Sequence, residues 1–303
     1  MNQKKQELVA DLMLAAVAII WGLGFPLTKM VVDANLGAGL VVALRFTVAA
    51  AVVSVVFRKE LKTLTLNDVR LGGIGGLLLG IAFLLQVAGQ KYTTPSNSAF
   101  LTSLSVVLVP FLSWALFRNK PSRKTALVAV SCFAGAAVLT ISPEKGLVLN
   151  VGDLLTVACA VFFSLHIAYL GKIAGHIETR KLTFMQMITA AVIGICYTGL
   201  MERAELAQAD FQAGILPILF LGLFSTAFSF FAQTYAQKHT SPARAAIILG
   251  TEGLLGSIFS VLMGYEQVTV NLVAGGLIIF FSLLVMEVDP RSVFQRRKQN
   301  LEP

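Results

Sequence analysis

The sequence predicts an all-α polytopic membrane protein with ten transmembrane helices arranged as two inverted five-helix repeats. Three observations lead there: the composition, ten apolar runs of spanning length, and a match between the two halves of the chain. Of 303 residues, 56% are hydrophobic and only 13% charged, where a soluble domain carries about 25% charged residues to wet its surface. Mean hydropathy is +0.78. These values exclude a secreted scaffold, a disordered chain and a soluble enzyme.

A helix needs about 20 apolar residues to cross the hydrocarbon. Runs of that length fall at 8–32, 37–57, 71–91, 96–117, 124–142, 152–172, 183–201, 214–236, 243–263 and 269–288. They are too long and too uniformly apolar for barrel strands, which alternate over about 10 residues. Lys4 and Lys5 ahead of the first run give it the look of a signal peptide. A cleaved apolar region is only about 7–15 residues long, so the run is expected to be an uncleaved first span. The connections are short, and residues 289–303 form a basic tail.

Lys and Arg orient the spans. Nineteen lie on the N-terminal side, and four (Lys29, Lys91, Lys145 and Arg203) on the other, with Arg45 inside a span. By the positive-inside rule both termini are cytoplasmic, and a plasma membrane is the expected location. The net charge of +8 is thereby spread over many loops. No loop has the dense basic and aromatic face that nucleic acid requires. Cys132, Cys159 and Cys196 sit in apolar runs as small hydrophobes, with neither a disulfide framework nor zinc spacing. No nucleotide-binding or hydrolase motif is present, and no metal or cofactor is expected beyond a coupled proton.

The halves match. Gln86-Val87-Ala88-Gly89-Gln90-Lys91-Tyr92-Thr93-Thr94-Pro95 aligns with Gln233-Thr234-Tyr235-Ala236-Gln237-Lys238-His239-Thr240-Ser241-Pro242, an offset of 147. At offset 142, Asp11-Leu12 meets Asp153-Leu154 and Trp21 meets Phe163. At offset 141, Arg45 meets Gln186. The units are 8–142 and 152–288, with five spans each. Five is odd, so the second copy enters from the opposite face, which is the architecture of secondary transporters.

Three ionisable residues stand clear of the span ends: Arg45, His166 and Glu252. Such groups rarely face lipid. At 1.5 Å per residue, Glu252 lies roughly 13 Å from the cytoplasmic end, His166 roughly 9 Å from that edge, and Arg45 roughly 10 Å from the outside. Glu252, beside Thr251, suits a proton, a cationic substrate or an amine. Its alternative is a structural carboxylate paired with Arg45 or with a backbone donor. For Arg45 the structural reading leads, as a lock between helices, while His166 divides between proton relay and packed histidine.

Gln86 and Gln90 share one face of span 3, and Gln233 and Gln237 repeat that on span 8. Thr102 and Ser105, with Asn97 and Ser98, form a polar stripe on span 4, and Ser225 and Ser229 another on span 8. Each pattern reads either as helix-to-helix glue or as cavity lining. Trp21, Phe25 and Tyr169 offer apolar or cation–π walls, or else interfacial anchors. Pro26 and Pro110 mark kinks.

The chain resembles the drug/metabolite transporter superfamily, EamA-type branch. The likeness runs through Trp21-Gly22, Ala43-Leu44-Arg45-Phe46, Thr93-Thr94-Pro95-Ser96, Val109-Pro110-Phe111, Thr240-Ser241-Pro242 and Gly264-Tyr265-Glu266. Where many members repeat the Pro110 position in span 9, this chain has Ser257. The resemblance implies a cavity lined by spans 1, 3, 4, 6, 8 and 9. It also implies a secondary transporter that exports or exchanges a small metabolite, whether amino acid, amine or drug-like compound. A passive facilitator is the alternative. The expected partners are the small-molecule substrate and the lipid bilayer, with no oligomeric state indicated.

Overall fold

A computed structural model describes residues 3–118, 120–142, 146–147, 150–173, 175–236, 239–240, 245 and 248–287. The helices are α1 (Gln3–Asp33), α2 (Ala38–Val56), α3 (Arg58–Leu61), α4 (Leu66–Gln90), α5 (Pro95–Phe117) and α6 (Arg123–Thr140). A two-residue antiparallel bridge pairs Ile141 with Leu147 and Ser142 with Gly146. Then follow α7 (Val151–Ile173), α8 (Thr179–Met201), α9 (Arg203–Leu206), α10 (Phe211–Phe220), a π-helical segment (Leu221–Phe228) and α11 (Ser229–Ala236). The described chain closes with α12 (Glu252–Leu262) and α13 (Val270–Glu287).

Among the described residues, eight helices are long and apolar enough to cross a membrane, and two apolar stretches, Glu252–Leu262 and Val270–Val285, are shorter. The expected ninth span, 243–263, runs through positions outside the described residues. So do Gln237, Lys238, Ser241, Pro242 and the basic tail at 289–303.

Local chemistry sets the helix starts. Thr65 and Asp68 form a reciprocal capping box on α4, each satisfying a backbone N–H of the other. Thr94 caps α5, with Pro95 in the first turn where a missing N–H costs nothing. The seventh expected span begins earlier than its apolar run, at Thr179, because its charged first turn is tied down. Arg180 pairs with Glu60, and Lys181 lies 3.2 Å from Asp68 and 2.7 Å from the Thr63 carbonyl.

Small residues bring helices into backbone contact. A Cβ at Gly194 of α8 would strike the Ala43 backbone on α2. At Gly135 of α6 it would lie 3.0 Å from the Gly275 carbonyl of α13. Such close approach drives association in lipid, where helices gain no hydrophobic energy from meeting. The largest buried cluster gathers Phe46, Leu79, Phe83, Met187 and Leu221 from α2, α4, α8 and the π segment.

Contacts recur at the sequence offsets. The rings of Trp21 and Phe230 lie 5.9 Å apart, and those of Phe163 and Phe83 5.2 Å apart. The Thr240 hydroxyl donates to Asp11 Oδ1 at 2.8 Å, and the Thr93 hydroxyl donates to Asp153 Oδ1. In both cases the first-helix residue moves by 142 and its partner by 147. Each contact joins one half of the chain to the other.

Burial along α5 is uneven. Every residue from Pro95 to Ser105 is buried except Asn97, whereas none from Leu108 to Phe117 is.

Candidate substrate and coupling site

Glu252 opens α12 after a break in the backbone. Residues 248–249 are helical, Gly250 and Thr251 form a turn, and the helix restarts at Glu252. The Thr251 hydroxyl and backbone N–H both donate to the Ile248 carbonyl, at 2.6 and 3.2 Å. Glu252 is half-buried, and among the described residues it has no hydrogen bond or ion pair. It sits in the first turn of a helix, where the N-terminal dipole favours an anion.

The next turn is packed closely. A Cβ at Gly253 would lie 2.9 Å from Ser103 Oγ, and one at Gly256 2.8 Å from Ala99 Cβ and 3.2 Å from Phe25. A Cβ at Gly22 would lie 2.7 Å from Leu255 Cβ. Thus α1, α5 and α12 close a seam of small residues immediately beside the carboxylate. Phe25 belongs to that seam and is 6% exposed.

Arg45 does not pair with Glu252. Its Nε donates to Thr226 Oγ1 at 2.6 Å and a terminal nitrogen to Ser225 Oγ at 3.1 Å, while the guanidinium lies 4.3 Å above the Phe83 ring. The π segment makes this possible. Its wider turn presents the consecutive hydroxyls Ser225 and Thr226 to one cation, and Thr226 donates back to the Leu221 carbonyl at 2.8 Å, five residues earlier. Trp21 Nε1 donates to the Ser225 carbonyl at 2.9 Å, tying α1 into the same cluster.

His166 is buried against Gln186, the nitrogens Nε2 and Nε2 being 3.1 Å apart. An amide nitrogen only donates, so the histidine nitrogen accepts. Arg45 and His166 therefore rest on separate partners, and Glu252 on none among the described residues.

The polar stripes on spans 3 and 4 meet each other. Gln86 Nε2 donates to Thr102 Oγ1 at 3.2 Å and Gln90 Nε2 to Ser98 Oγ at 3.3 Å, forming a two-rung ladder between α4 and α5. The Ser105 carbonyl accepts from the Ser164 hydroxyl at 2.9 Å. Tyr169 is also a tie, its hydroxyl donating to the Leu71 carbonyl at 3.1 Å. Gln233 is half-buried on α11.

Sequence reasoning missed Thr226, Gln186 as the partner of His166, and both Thr–Asp pairs. The self-match held Thr93 with Thr240 and Asp11 with Asp153, but at different offsets, so nothing joined the threonines to the aspartates.

The family model for EamA-like transporters matches residues 8–141 and 150–288. The chain belongs to the EamA-like transporter family. This EamA protein is a multi-pass membrane transporter. An uncharacterized transporter of Archaeoglobus fulgidus is 29% identical over 290 residues, 93% of this chain and 87% of that one. The uncharacterized transporter YvbV of Bacillus subtilis is 22% identical over 93% of this chain and 92% of its own length. A crystal structure of another protein superposes with a TM-score of 0.65 at 18% identity, covering 95% of this chain and 98% of that one, which is a likeness of fold.

Proposed function

We propose that this EamA protein is a secondary transporter. It moves a small metabolite across the plasma membrane by alternating access, as an exporter or exchanger, with Glu252 as the carboxylate that holds a coupled proton or a cationic substrate. The observation that carries the reading is the break at Gly250–Thr251, after which α12 opens on a carboxylate with no hydrogen bond or ion pair among the described residues. Transporters build their sites at such discontinuous helices, because freed backbone groups and helix ends supply polarity where lipid cannot. An acid inside a span that makes no hydrogen bond or ion pair with the described residues is costly to bury, and a transported proton or cation would offset that cost.

The recurring contacts support an inverted repeat of ten spans, units 8–142 and 152–288, and the excess of Lys and Arg on the N-terminal side supports cytoplasmic termini. The ring pairs and the Thr–Asp pairs each join one half to the other in the same way. Such a fold has two near-equivalent packings, inward-open and outward-open.

The test is flux in proteoliposomes, first screening amino acids, amines and drug-like compounds for counterflow. Glu252→Gln is expected to abolish flux driven by a proton gradient while the variant keeps the wild-type melting profile. Unchanged gradient-driven flux in that variant would remove the coupling role. Flux that never saturates and shows no counterflow would favour a passive facilitator.

A further inference from the structure

The two Thr–Asp pairs occupy equivalent places at opposite ends of the bundle. Thr93 lies at the α4–α5 corner and holds Asp153 near the start of α7, with Asp153 7% exposed. Thr240 follows α11 and holds Asp11 in α1. Both bonds are formed at once. In a cycle run by inverted repeats, a gate contact exists on one side while its equivalent is broken on the other. A contact formed on both sides of a single conformation is therefore a retained contact.

The crossing of α5 and α12 behaves oppositely. Ala99 and Ser103 of the outer half of α5 press on Gly256 and Gly253, and that half is buried almost without interruption. The other half, from Leu108 onward, is nowhere buried. Glu266, beyond α12, adds a clasp at the sealed end by accepting from the Ser96 backbone N–H at 3.0 Å. By the offset of 147, the position equivalent to Glu266 is Asn119, which lies outside the described residues.

We infer that Thr93–Asp153 and Thr240–Asp11 are the two permanent hinges of the transport cycle. On this view the Ala99–Gly256 and Ser103–Gly253 seam, clasped by Glu266, is its outer gate. The first hinge binds α4 and α5 to α7 as one moving body, and the second ties Thr240 to α1, which packs on α12 through Gly22 and Leu255, as the other. Glu252 sits on the second body at the edge of the gate, so opening the seam exposes it to the opposite side. The inference rests on the alternating-access reading proposed above.

The test uses the reconstituted full chain with Cys132, Cys159 and Cys196 replaced by Ala and a reporter, Ser103→Cys. The readout is labelling at position 103 by a membrane-impermeant maleimide added outside, measured by peptide mass. Closing a disulfide in Thr93→Cys/Asp153→Cys, or in Asp11→Cys/Thr240→Cys, is expected to leave the labelling rate within twofold. Closing one in Ala99→Cys/Gly256→Cys is expected to lower it more than tenfold, with recovery after reduction. A hinge disulfide that suppresses labelling as strongly as the gate disulfide overturns the inference alone. If position 103 is never labelled in the unlinked protein, the alternating-access reading falls with it. Should a cysteine pair fail to fold, Asp153→Asn keeps an acceptor for Thr93 and is expected to leave labelling unchanged. Glu266→Ala unclasps the gate and is expected to raise labelling at least threefold. The reverse pattern overturns the assignment.

Discussion

Glu202 caps a helix 163 residues away: its Oε2 accepts the Gly39 backbone N–H at 2.9 Å. The carboxylate sits over the first turn of α2, where unpaired N–H groups and the helix dipole both favour an anion. It also lines a cavity of about 290 Å³ with Lys91, Tyr92 and Glu205, Lys91 lying 3.6 Å from Glu205.

Opposing influences act on that carboxyl. Burial raises its pKa above the ordinary carboxylate value, the N–H groups of Gly39, Leu40 and Ala38 pull it down, the charge of Glu205 pushes it up, and the outcome is a rise. A carboxyl with a higher pKa folded than unfolded holds more protons in the native state, so its contribution to stability falls as pH climbs through that interval. Thermal melting in detergent is expected to show wild type and Glu202→Gln alike near pH ~4. The wild type then loses ground to the variant as pH climbs toward the folded pKa. Parallel curves would mean that Glu202 titrates alike in both states.

The glutamine ladder invites a sharper separation of glue from binding site. Gln86 and Gln90 are buried and pair with α5 hydroxyls, as packing residues do. Interhelical hydrogen bonds in lipid average about 0.6 kcal/mol, with a ceiling of about 1.7 kcal/mol. Gln90 Oε1 has no donor among the described residues, so Gln90→Leu also removes an unsatisfied acceptor. Gln86→Leu is therefore expected to destabilise by about 0.5–1.5 kcal/mol, and Gln90→Leu by less, with transport within twofold of wild type in both. Lost transport at unchanged stability would make these side chains part of the site.

The helical class and the family were legible because lipid demands long apolar runs, and those survive in composition alone. The hydroxyl stripes were legible as faces, since i,i+4 spacing fixes them, but which face they met was not. Gln86 and Thr102 share no sequence signal until α4 and α5 are folded together. The π segment was illegible for a related reason. Ser225 and Ser229 have ordinary α-helical spacing, and only the wider turn brings Thr226 beside Ser225. Glu252 was found because it is an acid within an apolar run, whereas its lack of a hydrogen bond or ion pair among the described residues is a fact of three dimensions. The Thr–Asp pairs lay in view, but the matched segments are spaced differently in the two halves, which gave threonines and aspartates different offsets.

Arg45 supplies the test of whether a buried cation is wanted for its charge or its shape. It is 4% exposed, with two hydroxyls and a ring as partners and, among the described residues, no carboxylate paired with it. Desolvating a cation costs several kcal/mol, and neutral hydroxyls return only part of that. The fork is what this geometry uses: Nε and a terminal nitrogen reach adjacent hydroxyls while the plane lies over Phe83. Lysine keeps the charge and loses the fork and the plane, so Arg45→Lys is expected to destabilise by about 1–3 kcal/mol. Methionine loses the hydrogen bonds and the charge together while filling much of the volume. Arg45→Met is therefore expected to cost less than Arg45→Lys, because it leaves no buried ion behind. Comparative melting of the two variants in the same detergent decides it. If methionine proves worse than lysine, the positive charge itself is required, and an anion must approach Arg45 during the cycle.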